Sequence, residues 1–572
     1  MAVWESKTVS DVITRIADKY YVLPVIQRRL VWNEEKMELL FDTLLKGNSF
    51  GGVMVLEEER QNIPLFASRP FTSDGSKVES SRSTTPLAHE QYFVIDGQQR
   101  LQSFYIGIKG QYNGKKLYFN LNSDFGRFEY DFQFANDAEK LIGSQKNDED
   151  EIIQNIWYPV VELYERCRRV MNVRQVATEI NTALATPEDL VDNVKNNIED
   201  FFNSIMTSPS IGVSKVIINR SLDEIENKQR IVELFRRLND GGTRLSSFEL
   251  VASIMKGFSW EMEAFLENTI KAYQDIGIGQ DELIKLIFIL QDEPAKEMLS
   301  ISARDAQFAI DHRERIQKTL EAVVKFLHHS RLHTYYLESQ RSAIPLYFVA
   351  YHVFHQDISD EDAGNYFDQY DVRSDVFTSI HTWIHYSLLS GVFKSKGVGW
   401  IPYHTGIKKI LAVMKEAKGK SFPHGEIFQV YQDHPLHYFR AEISRDNLDR
   451  YEKTYLFYLL YDCKRTVRQQ DIDHIHPKSI LSSQEVPWER INSVSNYQLL
   501  DHRSNRWEKS GSELFKWIDD FVENKTAYLN HHLIPQEEHL WHSEKFKAFQ
   551  EYREELILRK LKALDLFDTD AG

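Results

Sequence analysis

Hydrophobic positions change their period twice along this chain. In the first quarter, short runs of β-branched and aromatic residues stand next to glycine. GGVMVLEEE and YFVIDG read as strands, and KKLYFNLN as another. Between the first two, SRPFTSDGSKVESSRSTTPLAHEQ is rich in Ser, Thr and Pro and reads as a mobile surface loop over 68–91, more a tolerated insertion than a DNA contact. Helical spacing alternates with the strands. Met37, Leu40, Phe41, Leu44 and Leu45 form a stripe behind Asn33, which is placed to cap a helix whose first turn carries Glu34 and Glu35. Leu101, Phe104, Tyr105 and Ile108 form a second stripe that should stop at Gly110. From about residue 260 to 445 the pattern is helical, as in DELIKLIFILQ, with no internal repeat. It turns strand-like around 470–500 and helical again after 503. These patterns predict a multidomain α+β protein: a mixed α/β region over 1–262 with a helical extension, a helical connecting region over 263–445, and a C-terminal region over 446–572. No Gly/Ser-rich linker marks the seams.

Composition narrows the classes. A chain of 572 residues exceeds one hydrophobic core, so about two to four domains are expected. With 42% hydrophobic and 27% charged residues, it has the balance of a soluble globular protein. The sequence holds no run of about 18 apolar residues, and MAVWESKTVSDVITRIADKY lacks a basic segment followed by an apolar one, so neither membrane partner nor secretion signal is expected. Two cysteines far apart, Cys167 and Cys463, suggest a reducing, cytoplasmic setting. The net charge of −16 argues against a nucleic-acid coat protein but leaves room for a nuclease with local basic surface or a bound cation.

Two short stretches carry candidate chemistry. In YFVIDGQQRLQSF, a strand runs into a helix through Asp96-Gly97-Gln98-Gln99-Arg100. Asp96 is placed to cap that helix and Gln99 to close a capping box. A helix N-terminus with Gly97 and Arg100 beside it suits an anion, so a nucleotide or DNA phosphate is a natural occupant; a well-capped turn with an exposed arginine is the plain alternative. Upstream, LPVIQRRLVW sets Gln27, Arg28 and Arg29 before a helix, and FRRLNDGGTRLSSFEL gathers Arg236, Arg237 and Arg244 around a glycine turn. No Walker A loop is present.

The second stretch is DIDHIHPKS, residues 471–479, followed by NSVSNYQLLDHRSNRWEKSG. An inert polar turn and a structural zinc site are two readings, although zinc would want four good ligands. The order Asp473-His474, Pro477, Asn496, Asn505 resembles an HNH, or His-Me finger, nuclease. That resemblance implies a ββα-metal arrangement with His474 as general base, Asp473 and Asn505 holding Mg²⁺ or another divalent cation through oxygen, and Asn496 orienting the histidine loop. His476 could assist or replace His474, and Asp471 could compete as ligand.

Together, LPVIQRRLVW, FVIDGQQRLQSF, FRRLNDGGTRLSSFEL and DIDHIHPKS…NRWEKS resemble the GmrSD family. The resemblance implies a ParB/sulfiredoxin-like N-terminal domain that binds and hydrolyses a nucleoside triphosphate (GTP or similar). It also implies a C-terminal HNH nuclease, and a type IV restriction enzyme acting on modified phage DNA of the glucosylated hydroxymethylcytosine or phosphorothioate class. Carried over by residue, Gln27, Arg28, Asp96, Gly97, Gln98, Gln99 and Arg100 fall in the nucleotide motif, and Asp473, His474, Asn496 and Asn505 in the nuclease motif. One HNH centre cuts one strand, so double-strand cleavage would call for two events or a homodimer. A nucleotide-switched DNA sensor that does not cut, and an unspecific nicking toxin, are the alternative functions.

Overall fold

The computed structural model describes residues 4–48, 51–123, 130–136, 141, 144–146, 152–219, 221–240, 247–293, 301–337, 342–368, 374–393, 407–432, 444–462, 470–509 and 511–564. Cys463 and the glycine turn at 241–246, with Arg244, lie outside them, as does the side chain of Arg236. The fold is mixed α+β, and the chain divides into two compact units: Met1–Phe265 with Met298–Ile310, and Leu266–Glu297 with Asp311–Gly572. Among the described residues, no helix is long and apolar enough to cross a membrane.

The first unit begins with β1 (Trp4–Lys7) and α1 (Val9–Ala17). Thr8 and Asp11 cap α1 reciprocally. Next come β2 (Tyr21–Pro24), α2 (Glu34–Leu45), β3 (Val53–Glu58), β4 (Ser68–Arg69), β5 (Gln91–Asp96) and α3 (Gln98–Lys109). Beyond α3 lie β6 (Lys116–Asn120), β7 (Phe132–Ala135), β8 (Ser144–Lys146), β9 (Ile152–Gln154), β10 (Trp157–Pro159) and β11 (Ile211–Ile217). The main sheet has the order β1-β11-β3-β5-β2-β4. β5 sits inside it, antiparallel to β3 and parallel to β2. Four of its six residues are buried without alternation, as a strand covered on both faces requires. The β3–β5 register slips between Met54 and Val55, beside the end of β5 that carries Asp96.

α2 forms as its sequence predicts. The Asn33 side chain accepts from the Lys36 N–H at 3.2 Å, and Met37, Leu40, Phe41, Leu44 and Leu45 are buried. α3 ends at Gly110 as expected, and buries Leu101, Phe104 and Ile108. Its expected capping box does not form. Asp96 remains in β5, paired with Met54, and the helix starts from Gly97 at φ +88°, with no side-chain cap. A side chain at 97 would meet left-handed strain and place its Cβ 2.9 Å from Val53 Cγ2.

The 68–91 segment is largely irregular and exposed, as a surface loop should be, but it is anchored at a few buried positions. Arg69 is only 4% exposed; its guanidinium meets Glu263 at 3.0 Å and donates to the carbonyls of Gln27 (2.7 Å) and Arg28 (3.1 Å). The Ser80 N–H donates to the other Glu263 oxygen at 3.2 Å, and Phe71 is buried. A Ser/Thr/Pro-rich composition concealed these anchors.

In the second unit, Gln280–Leu290 is the helix expected from DELIKLIFILQ. Arg315, nearly buried, donates to the carbonyls of Val353, Phe354, Gln356, Ile358 and Ser359, closing the end of helix Ile344–Phe354. Near the C-terminus, β12 (Asp471–His474) and β13 (Tyr497–Leu500) form an antiparallel pair. Arg553, from helix Phe546–Ala563, is buried behind it and donates to the carbonyls of Val494 (3.0 Å) and Tyr497 (2.6 Å), which fixes the entry to β13.

Candidate functional site

At the β5–α3 turn, amide side chains sew the 27–32 segment to the sheet. Gln27 is buried and donates to the Ile95 carbonyl at 2.6 Å. Gln98 donates to the Arg28 carbonyl. Gln99 accepts from the N–H groups of Val31 (2.9 Å) and Trp32 (3.3 Å) and donates to the Arg29 carbonyl at 3.1 Å. So Gln99, expected to cap its own helix, instead orders the neighbouring QRRLVW strand exit. Two features remain for a ligand. Gln98, 4% exposed, keeps its Oε1 buried without a partner among the described residues. The Arg28 side chain is partly exposed and makes no hydrogen bond or ion pair among the described residues.

Arg100 lies over Gly51 and reaches the Asp96 carboxylate at 3.4 Å; burial pulls its guanidinium below its ordinary pKa while Asp96 opposes the shift. An arginine remains charged under such a shift. Beside the turn is a cavity of about 110 Å³ whose lining includes Arg29, Arg69, Thr72, Lys77, Gln98 and Gln102. That is smaller than the roughly 300 Å³ at which ligand pockets begin, so it fits a phosphate-sized group rather than a whole nucleotide.

In the C-terminal hairpin, strand alternation separates the candidate residues. Asp473 faces Gln498 across the ladder and accepts from its amide at 2.9 Å; His474 sits opposite Tyr497, ring centroids 4.8 Å apart. Lys509, 2% exposed, joins the two, its ammonium 2.5 Å from Asp473 Oδ2 and donating also to the His474 carbonyl. Burial lowers the Lys509 pKa while Asp473 raises it. His474 is half-buried, its Nε2 is 3.1 Å from Asn492 Oδ1, and burial lowers its pKa against the opposing effect of that bond.

Asn505 sits in a short helical segment that widens to π geometry over Ser504–Lys509. It donates to Asp471 at 3.0 Å, and His502 Nδ1 lies 2.7 Å from the other Asp471 oxygen. The structure therefore brings Asn505 to Asp471, not to Asp473. Asn496 is fully buried: its carbonyl oxygen accepts from the His476 N–H at 2.9 Å, and its amide donates to the carbonyls of His476 (3.1 Å) and Ile491 (3.0 Å). It clasps the loop leaving His474.

His476 must be corrected as a candidate for catalysis. Its ring is wholly buried, 4.5 Å from that of Phe549, with neither nitrogen partnered among the described residues, and burial lowers its pKa to about 3. Past β12 the chain leaves strand geometry, so His474 and His476 do not share a face.

Among the described residues, no group of three or more His, Cys, Asp or Glu is arranged to hold a metal. The oxygens of Asp471, Asp473 and Asn505 nevertheless suit a hard divalent cation in kind, although Lys509 holds one Asp473 oxygen. Sequence reasoning missed Lys509, Gln498 and Asn492. The period-2 register from Asp473 could have flagged Gln498; Lys509 and Asn492 carried no such signal.

An uncharacterized protein of Methanocaldococcus jannaschii, MJ0686, is 22% identical to this chain over 98% of its length and 99% of the relative's own. The β12–β13 hairpin lies outside the span matched by a family model. Within that span, residues 9–256, which include Gln27, Arg28 and the whole DGQQR turn, the chain is similar to the GmrSD restriction endonuclease N-terminal domain.

Proposed function

We propose that the protein is a modification-dependent DNA endonuclease, with a nucleoside triphosphate bound at the β5–α3 turn gating phosphodiester cleavage or nicking at the β12–β13 hairpin. The observation that carries this reading is the half-buried His474 at the end of a strand hairpin, in a chain whose first part matches a restriction-endonuclease domain. His474 would take the proton from a water attacking the phosphorus. Asn496 would hold the loop that follows the base, and Lys509 would set the backbone beneath it. Asp473 and Asn505, with Asp471 beside them, would hold a divalent cation, which when bound supplies charge compensation on the phosphorane and the departing 3′-oxygen.

At the other site, Arg28, Arg100 and the start of α3 would receive phosphate oxygens, with Gln98 Oε1 available to a donor. Modified phage DNA of the glucosylated hydroxymethylcytosine or phosphorothioate class is the proposed substrate, and pairing of two chains would yield double-strand breaks. The ammonium of Lys509 on Asp473 favours a second reading, a nucleotide-switched DNA sensor that does not cut. A plasmid cleavage assay with wild type and His474→Ala separates the two: a nuclease loses cutting with the histidine, whereas a sensor cuts in neither form.

A further inference from the structure

We propose that Asn492 is the positioning residue that fixes the tautomer of His474, keeping the proton on Nε2 and presenting Nδ1 as the proton acceptor. This deepens the reading of His474 as the base and rests on it. The Asn492 amide nitrogen donates to the Trp488 carbonyl at 2.9 Å. A carbonyl only accepts, so the orientation of the amide is set and Oδ1 must face the other way. There it meets two groups: the Tyr497 hydroxyl, which donates at 3.0 Å, and His474 Nε2 at 3.1 Å. Since Oδ1 can only accept, Nε2 carries the hydrogen. In a neutral imidazole the lone pair is then on Nδ1.

The clamp is itself held. Lys453 donates to the Asn492 backbone carbonyl at 2.8 Å and lies over the Tyr497 ring, 4.8 Å from its centroid. Tyr497 stands opposite His474 in the ladder, so a single ring packs against the imidazole and, through its hydroxyl, fixes the amide that orients it. Asn492 lies outside the Asp-His, Asn496, Asn505 pattern, and none of the groups it touches is one of the candidate cation ligands.

The test uses the full chain labelled with ¹⁵N-histidine, with His474 assigned by the resonance lost in His474→Gln. In wild type, the His474 spectrum should show Nε2 protonated and Nδ1 bare. In Asn492→Ala it should move toward a tautomer mixture. On DNA that wild type cuts, kcat should fall roughly 10- to 100-fold, the size of loss typical when a group that orients a reacting histidine is removed, with KM for DNA little changed. Asn492→Asp, which keeps an acceptor oxygen, should restore the wild-type tautomer and much of kcat. Tyr497→Phe, which removes one hydroxyl and should fold normally, should give a smaller loss in the same direction. A wild-type His474 protonated on Nδ1, or an Asn492→Ala protein with unchanged tautomer and kcat, would overturn the inference. A wild type that cuts no DNA would sink the nuclease reading, while the spectrum would still decide the tautomer.

Discussion

The β5–α3 turn and the β12–β13 hairpin each pack amide and charged side chains into a few residues, and they use them in opposite ways. At the turn, the glutamines face inward. Gln27, Gln98 and Gln99 all donate to backbone carbonyls, which leaves, among the described residues, the Arg28 side chain and one amide oxygen without a partner. The motif there mainly builds a rigid floor. At the hairpin, the carboxylates and His474 remain partly accessible at a strand end, while Asn496 shares the scaffolding with residues outside the expected pattern: Lys509, Gln498, Asn492 and Arg553. A compact motif can thus be mostly architecture, and a looser one mostly reactive surface.

That contrast predicts a ranking of variants. The largest effect belongs to His474→Ala, which should reduce DNA cleavage by about 10²- to 10⁴-fold while leaving nucleotide binding intact, as read by titration calorimetry. Asn496→Ala comes next. It leaves the His476 N–H and two carbonyls without their partner inside the fold, at about 1–3 kcal/mol for each group left unsatisfied. It should lower the thermal midpoint as well as the cutting rate, whereas His474→Ala should leave the midpoint nearly unchanged. Arg100→Ala should abolish the nucleotide dependence of cleavage without lowering the midpoint comparably. Cleavage that responds to nucleotide as before in this variant would mean the turn is architecture alone.

The smallest effect on cutting is expected from His476→Leu, whose consequence lies in stability against pH. Burial lowers the pKa of His476 to about 3, and those of His352, His355 and His381 to about 4, from an ordinary value of 6.5. Each ring is held neutral in the fold, so the unfolded chain binds more protons between those values. Stability should be full above about pH 6.5 and fall as the pH drops toward 4 and 3. His476→Leu should cut at the wild-type rate near neutral pH and lose less stability on acidification, measured as the urea midpoint at pH 7.5 and pH 5. Loss of cleavage with a normal midpoint would restore His476 as a catalytic candidate.

Much of this was legible in the sequence where local rules act alone. The cap at Asn33 and the apolar stripe of α2 follow from spacing, as does the stop of α3 at Gly110. The misreadings share a cause: a distant partner overrode a local preference. Asp96 could cap a helix, but the sheet keeps it in β5. The 68–91 segment has a loop's composition, yet Glu263, nearly two hundred residues on, holds it through Arg69 and Ser80. His476 stands two residues from His474, and only the helix Phe546–Ala563, whose Phe546 and Phe549 surround its ring, reveals that it belongs to the core. At the hairpin, the strand register could have paired Asp473 with Gln498, but nothing local announces that Lys509 returns to Asp473 or that Asn505 chooses Asp471.

The most direct measurement is plasmid cleavage in Mg²⁺ by wild type and His474→Ala, on unmodified, glucosylated-hydroxymethylcytosine and phosphorothioate DNA, each with and without nucleoside triphosphate. Cutting of one modified DNA, changed by nucleotide and lost in His474→Ala, is the predicted result. Intact nucleotide hydrolysis with no cutting of any of the three, or cutting that survives His474→Ala, would contradict the account.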